Sequence, residues 1–88
     1  MKLKYTFEAV DMGDEIIFVP VGAGAAEVSG VLKLNAEGKE IADMLREDTT
    51  PEKIVDALAA KYENDRATLT KYVDGVVGQL RDAGLLEE

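Results

Sequence analysis

The chain has 88 residues, with ten Lys and Arg against eighteen Asp and Glu, a net charge of −8, and no His, Cys or Trp. That length supports one domain with one core, and the missing residue types exclude a disulfide framework, a thiolate or imidazole metal site and a triad built on His or Cys. The acidic excess argues against nucleic acid, which needs a basic patch. No apolar run approaches the roughly 20 residues of a membrane span, and no signal-type apolar run follows Met1-Lys2-Leu3-Lys4-Tyr5, so a soluble cytoplasmic protein is expected.

The first third of the chain favours strands. From Tyr5 to Val10 the side chains alternate, with Tyr5, Phe7 and Ala9 on one face and Thr6, Glu8 and Val10 on the other. Turn chemistry around Gly13 follows, and Ile16–Val21 is a run of β-formers, so these two strands predict a hairpin. Pro20 cannot donate to a ladder and is expected at an edge or at the strand's end. Gly22-Ala23-Gly24-Ala25-Ala26 reads as a loop; it has the spacing GxG but neither a third Gly nor a helix start, so it is not a dinucleotide site. A third strand is predicted over residues 28–34, with Gly30, Leu32 and Leu34 on one face and Ser29, Val31 and Lys33 on the other.

Beyond it the period changes from 2 to 3.6. Asn35 is a good N-cap for a first helix carrying Ile41, Met44 and Leu45 and ending near Glu47. Thr50 caps a second, with Pro51 in its first position and Ile54, Val55, Leu58, Ala59 and Tyr62 as its apolar stripe. Asp65 caps a third, whose stripe Leu69, Tyr72, Val73, Val76, Val77 and Leu80 is the most regular in the chain. Gly84 stands where the residue after a helix C-cap should, and Leu85 and Leu86 can fold back as an apolar clamp. The order is βββααα: a single α+β domain, sheet over residues 1–34 and helices over 35–88, with the sheet's inner face closing the core.

Candidates for chemistry are few. Asp14-Glu15, Glu47-Asp48 and Glu87-Glu88 lie in polar turns or the tail, where nothing would shift their pKa values. No calcium-loop pattern is present, and Ser29, the only Ser, has no His to activate it. Lys39, Glu40, Asp43 and Glu47 read as a solvated outer face. Two features stand out. Gly75 and Gly78 lie inside the third helix, where each costs about 1 kcal/mol relative to Ala; they read either as tolerated surface variation or as a flank that a backbone or partner approaches closely. The third strand can also leave an open edge, a template for strand addition by a peptide.

Gly30-Val31-Leu32-Lys33-Leu34-Asn35-Ala36-Glu37-Gly38 with Ile41 and Leu45, Thr50 through Leu58 with Tyr62, and Val73, Leu80 and Ala83-Gly84-Leu85-Leu86 together resemble the PqqD family, the small proteins named for pyrroloquinoline quinone (PQQ) synthesis. The resemblance runs from Val28 to the C-terminus and rests on order and spacing. Relatives often carry an aromatic residue where this chain has Lys39–Ala42, and Phe-Asn where it has Val28-Ser29. The resemblance implies a winged-helix-like RiPP recognition element: a non-catalytic peptide chaperone without cofactor. Such a domain binds the leader of a ribosomally made precursor peptide and presents it to a modifying enzyme, often a radical-SAM enzyme. It further implies that the leader adds as a strand beside the third β-strand, in a groove against the third helix. Carried over, Val31, Leu32, Lys33 and Leu34 form the strand side, and Lys71, Asp74, Gly75 and Gly78 the helix side.

Two other readings compete. A winged-helix DNA-binding regulator has three helices in its favour, but the third helix offers only Arg66, Lys71 and Arg81 among Asp65, Asp74 and Asp82. A purely structural homodimer could instead close its own strand edge.

Overall fold

The computed structural model describes residues 1–28 and 30–88. Its elements are β1 (Lys2–Leu3), β2 (Thr6–Asp11), β3 (Ile16–Val21), a 3-10 turn (Ala25–Glu27), β4 (Leu32–Leu34), α1 (Ala36–Met44), α2 (Pro51–Lys61), α3 (Arg66–Asp82) and β5 (Leu86–Glu87). A three-stranded antiparallel sheet of order β2-β3-β4 precedes three helices, the α+β arrangement that the periodicities predict. No helix among the described residues is long and apolar enough to cross a membrane.

The hairpin sets the hydrogen-bonding phase of the whole sheet. Its two-residue loop has Gly13 at φ +98°, which suits the first loop position of a tight hairpin turn. Met12 N–H donates to the Glu15 carbonyl at 2.9 Å. Antiparallel pairs alternate between hydrogen-bonded and non-bonded. Counting back from Met12–Glu15, the bonded pairs of β2 and β3 are Val10–Ile17, Glu8–Val19 and Thr6–Val21. Pro20, opposite Phe7, then falls at a non-bonded pair, and its missing donor faces away from β2.

The same phase governs β4. Ile16 and Phe18 turn their main-chain groups toward it and meet Leu34 and Leu32, while Ile17 and Lys33 form the non-bonded pair between them. Continuing that register by two places would set Pro20 opposite Gly30, at a pair that needs the N–H proline lacks. The ladder stops at Phe18–Leu32, and Gly30, at φ +82°, leads the chain off in a left-handed conformation that L side chains avoid. The third strand is therefore three residues long, not the seven expected: Val28, Gly30 and Val31 lie outside it. Ser29 falls outside the described residues.

The helix caps are as the sequence predicts. Asn35 Oδ1 accepts from Gly38 N–H at 2.8 Å, Thr50 Oγ1 from Lys53 N–H at 3.2 Å, and Asp65 Oδ1 from Ala67 N–H at 2.9 Å. At the far end of α3, Gly84 N–H donates to Arg81 O and Leu85 N–H to Leu80 O, a Schellman pair that buries Leu85 beside Leu80. Leu86 continues into β5 and pairs with Leu3 of β1, so the apolar clamp takes the form of a second, two-stranded sheet.

The core lies between the inner face of the sheet and the helices. Phe18, Ile41, Leu45, Ile54, Val73 and Leu80 are its largest fully buried side chains. Phe18 stacks on Phe7 at 5.9 Å between centroids, and the Arg46 guanidinium lies 5.1 Å from its ring. Arg46 also donates to the Phe7 carbonyl at 2.8 Å, tying the end of α1 to β2. Four positions expected on core-facing stripes are corrected, Ala9, Ala59, Tyr62 and Tyr72. Ala9 is exposed because β2 is the outer strand and the helices cover only its Phe7 end. Ala59 is exposed on α2. Tyr62 is the extended C-cap of α2 and turns its ring out to solvent.

Phe18→Ala removes a fully buried ring at the centre of this packing. It should lower unfolding stability by about 3–5 kcal/mol, a large share of what a domain of this size has, and chemical denaturation followed by far-UV circular dichroism measures it.

Candidate peptide-binding groove

β4 is an edge strand, with β3 as its one sheet neighbour. Leu32 and Leu34 point into the core at 8% and 6% exposure, and Lys33 points out. Because Leu32 and Leu34 spend their main-chain groups on β3, the N–H and C=O of Lys33 are the strand groups turned to the open edge. Val31, just before the strand, is 53% exposed.

Two contacts identify the flank of α3 that faces this edge. At one end, the Tyr72 hydroxyl donates to Asn35 Oδ1 at 2.9 Å, directly after β4. At the other, Ala83 lines a cavity of about 220 Å³ together with Val31 and Leu32. Tyr72 and Ala83 are eleven residues apart, three helical turns, and Val76 and Gln79 fall between them on the same stripe. That stripe rises roughly 16 Å at about 1.5 Å per residue, the length of roughly five extended residues. It is the candidate helix wall for a peptide lying along the edge of β4.

The residues expected on the helix side stand differently. Gly75 neighbours both Tyr72 and Gln79 on the helix surface, at spacings of three and four, and so borders the groove. Lys71 and Gly78 lie on the next row outward, rotated about 100° from the stripe, and Asp74 lies further round still. All but the half-buried Gly78 are exposed. A Cβ at Gly75 or Gly78 would meet nothing within 4 Å, so none of the described residues requires a glycine at either place.

Tyr72 and Val76, read as core stripe, and Gln79 and Ala83, outside the expected contact set, lie on this stripe as well. Tyr72 was assigned to the core stripe, and at 38% exposure it is the stripe's wet edge. The signal was its phenol: a buried position would take Leu or Phe, whereas Tyr suits a site with one apolar and one hydrated end.

A second cavity, of about 420 Å³, opens beyond the Asn35–Tyr72 contact, between α1, the end of α2 and the start of α3. Glu40, expected on a solvated face, lies on its wall with its side chain 20% exposed. It accepts from Lys61 Nζ and, at 2.7 Å, from the Tyr62 hydroxyl. The Lys61 and Tyr62 hydrogen bonds hold its carboxyl below the usual value, and the bond to Glu40 raises the Tyr62 phenol in turn. Asp43 is half-buried as well, held by Lys39 at 2.6 Å and Arg46 at 2.9 Å.

The description Coenzyme PQQ synthesis protein D (PqqD) matches residues 22–86 of this chain. Among solved structures, "TbiB1 in Complex with the TbiA(beta) Leader Peptide" is similar: the identity is 30%, the TM-score is 0.71, and the match covers 99% of this chain and 95% of that one. No curated protein matches.

Two outcomes follow from the geometry. Gly75→Ala should stabilise the free protein by about 0.5–1 kcal/mol, because the new methyl meets open space; thermal unfolding measures it. Glu40 has a lowered carboxyl pKa in the fold, so its link to α2 is present above the ordinary carboxylate value and is lost as pH falls through the lowered one. Glu40→Gln should therefore flatten the acid limb of stability against pH, which urea midpoints across the acid range would show.

Proposed function

Since the chain belongs to the PqqD family, we propose that it is a non-catalytic peptide chaperone that binds the leader of a ribosomally made precursor peptide by strand addition to β4 and presents it to a modifying enzyme. The observation that carries this reading is the pairing of an open strand edge with a helical stripe on the flank of α3 nearer to it. A peptide laid there would exchange main-chain hydrogen bonds with Lys33, place alternate side chains against Val76 and Gln79, and reach the cavity at Val31, Leu32 and Ala83. Val31, Leu32, Lys33 and Leu34 form the strand wall. Gly75 borders the helix wall and lets a peptide come close, Lys71 and Gly78 lie at its outer rim, and Asp74 stands away from it.

The solved relative TbiB1, whose structure holds a leader peptide, supports this assignment. Composition supports a binding role too: without His or Cys the chain has neither an imidazole base nor a thiol nucleophile. With a net charge of −8, the domain would favour a modifying enzyme, such as a radical-SAM enzyme, that offers a basic docking surface. A homodimer pairing two β4 edges would compete for the same Lys33 groups, so sedimentation across a dilution series, with and without peptide, distinguishes the two uses of the edge.

The main-chain phase makes the test specific. Leader peptides encoded beside the gene should protect the Lys33 amide from hydrogen exchange and change Leu32 and Leu34 little, since those two already bond to β3. Lys33→Pro removes a donor that the fold leaves free, and proline is tolerated at such an edge position. It should weaken leader binding by about tenfold while leaving the circular dichroism spectrum unchanged. Binding with no protection at Lys33 would overturn the strand-addition assignment.

A further inference from the structure

The groove between β4 and α3 does not end at Leu34. Asn35 and Tyr72 close its end and at the same time line the larger cavity of about 420 Å³, a volume in the range of built ligand pockets. Its floor is apolar, with Ile41, Leu58 and Leu69 supplied by three different helices. Tyr62 and Tyr72 flank its mouth with 39% and 38% of their surface exposed. Their hydroxyls are occupied by Glu40 and Asn35, and Lys61 Nζ lies over the Tyr62 ring at 5.5 Å from its centroid, which leaves the Tyr72 ring as the freer aromatic surface for a guest.

The charge of this cavity has one sign. Glu37 and Glu40 are the ionised residues that line it. Lys61 already takes one oxygen of Glu40, whereas Glu37 makes no ion pair among the described residues. An apolar floor, two exposed phenol rings and an unpaired carboxylate suit a long basic side chain. Its methylene stem would lie on the Tyr72 ring and its cationic head would reach Glu37.

Resting on the strand-addition reading above, we infer that this cavity is an anchor site for an arginine or lysine of the leader peptide, just N-terminal to the residues paired with β4. The direction follows from the sheet. Both of its existing pairings are antiparallel, so a leader continuing that pattern would have its N-terminal end at Leu34 and Asn35, where the cavity opens. The cavity at Val31 and Ala83 would then receive the C-terminal end, from which the peptide leaves toward the modifying enzyme.

The test uses short extended peptides selected by display on the intact protein and labelled with fluorescein. Selection should enrich Arg or Lys on the N-terminal side of the residues that protect the Lys33 amide. Replacing that residue by Glu should weaken binding by about tenfold, and Glu37→Lys in the protein should reverse the preference. Thr68→Trp, which fills the cavity from its rim, should weaken the basic-flanked peptide and spare one truncated to its paired residues. Protection of Lys33 with a flank-charge effect below about twofold in both proteins would overturn the anchor and leave strand addition standing. Selected peptides that bind without protecting Lys33 would overturn both.

Discussion

The position of one proline governs how much of this protein's sheet is available to a partner. Pro20 lies in the central strand, and the phase fixed by the Met12–Glu15 bond turns its vacant nitrogen toward the side where β4 runs. The ladder can continue from Ile16–Leu34 to Phe18–Leu32 but not to a pair at Gly30. β4 therefore stops early at its Leu32 end, and the cavity beside Ala83 lies where a longer strand would run. A valine at position 20 would carry a donor where the chain now has none, and a longer β4 would occupy the space beside Ala83.

Stability and binding draw on opposite faces of the same few residues. Leu32 and Leu34 hold β4 through buried side chains and through their bonds to β3, while Lys33 contributes neither a core contact nor a ladder bond. Fold and peptide therefore do not compete for hydrogen bonds along the strand. The same division runs along α3, where Val73, Val77 and Leu80 are core and Tyr72 and Gln79 are free for contact. Gly75 and Gly78 serve neither side of that division within the fold: each weakens the helix, and no described residue lies where its side chain would be.

Much of this was legible in the sequence because it is local. Asn35, Thr50 and Asp65 cap helices through atoms two or three residues away, and the α3 stripe repeats within a single element. What was not legible depends on residues far apart in the chain. The pairing of Lys2 with Glu87 joins two-residue strands from opposite ends, too short to carry a periodic signal. The length of β4 is set by a proline in the neighbouring strand, not by its own β-propensity. For α3, the helical wheel gave each residue's distance from the core but not which flank faces β4. Only the Tyr72–Asn35 and Ala83–Leu32 neighbourhoods decide that, which is why Gly75 stands close to the groove while Asp74 stands away from it.

The Schellman turn at the end of α3 has a consequence for kinetics. Leu85 is pinned to Leu80 by its main chain, Lys4 N–H donates to the Leu85 carbonyl at 2.8 Å, and β5 then locks onto β1. The C-terminal end of α3 is thus moored to both termini, and Tyr72 moors its other half to the start of α1. With both ends of α3 tied in this way, a peptide adding to β4 would meet a helix already fastened, and the ordering cost of binding would fall mainly on the peptide. Different leaders would then encounter the protein at similar rates and be sorted by how long each one stays.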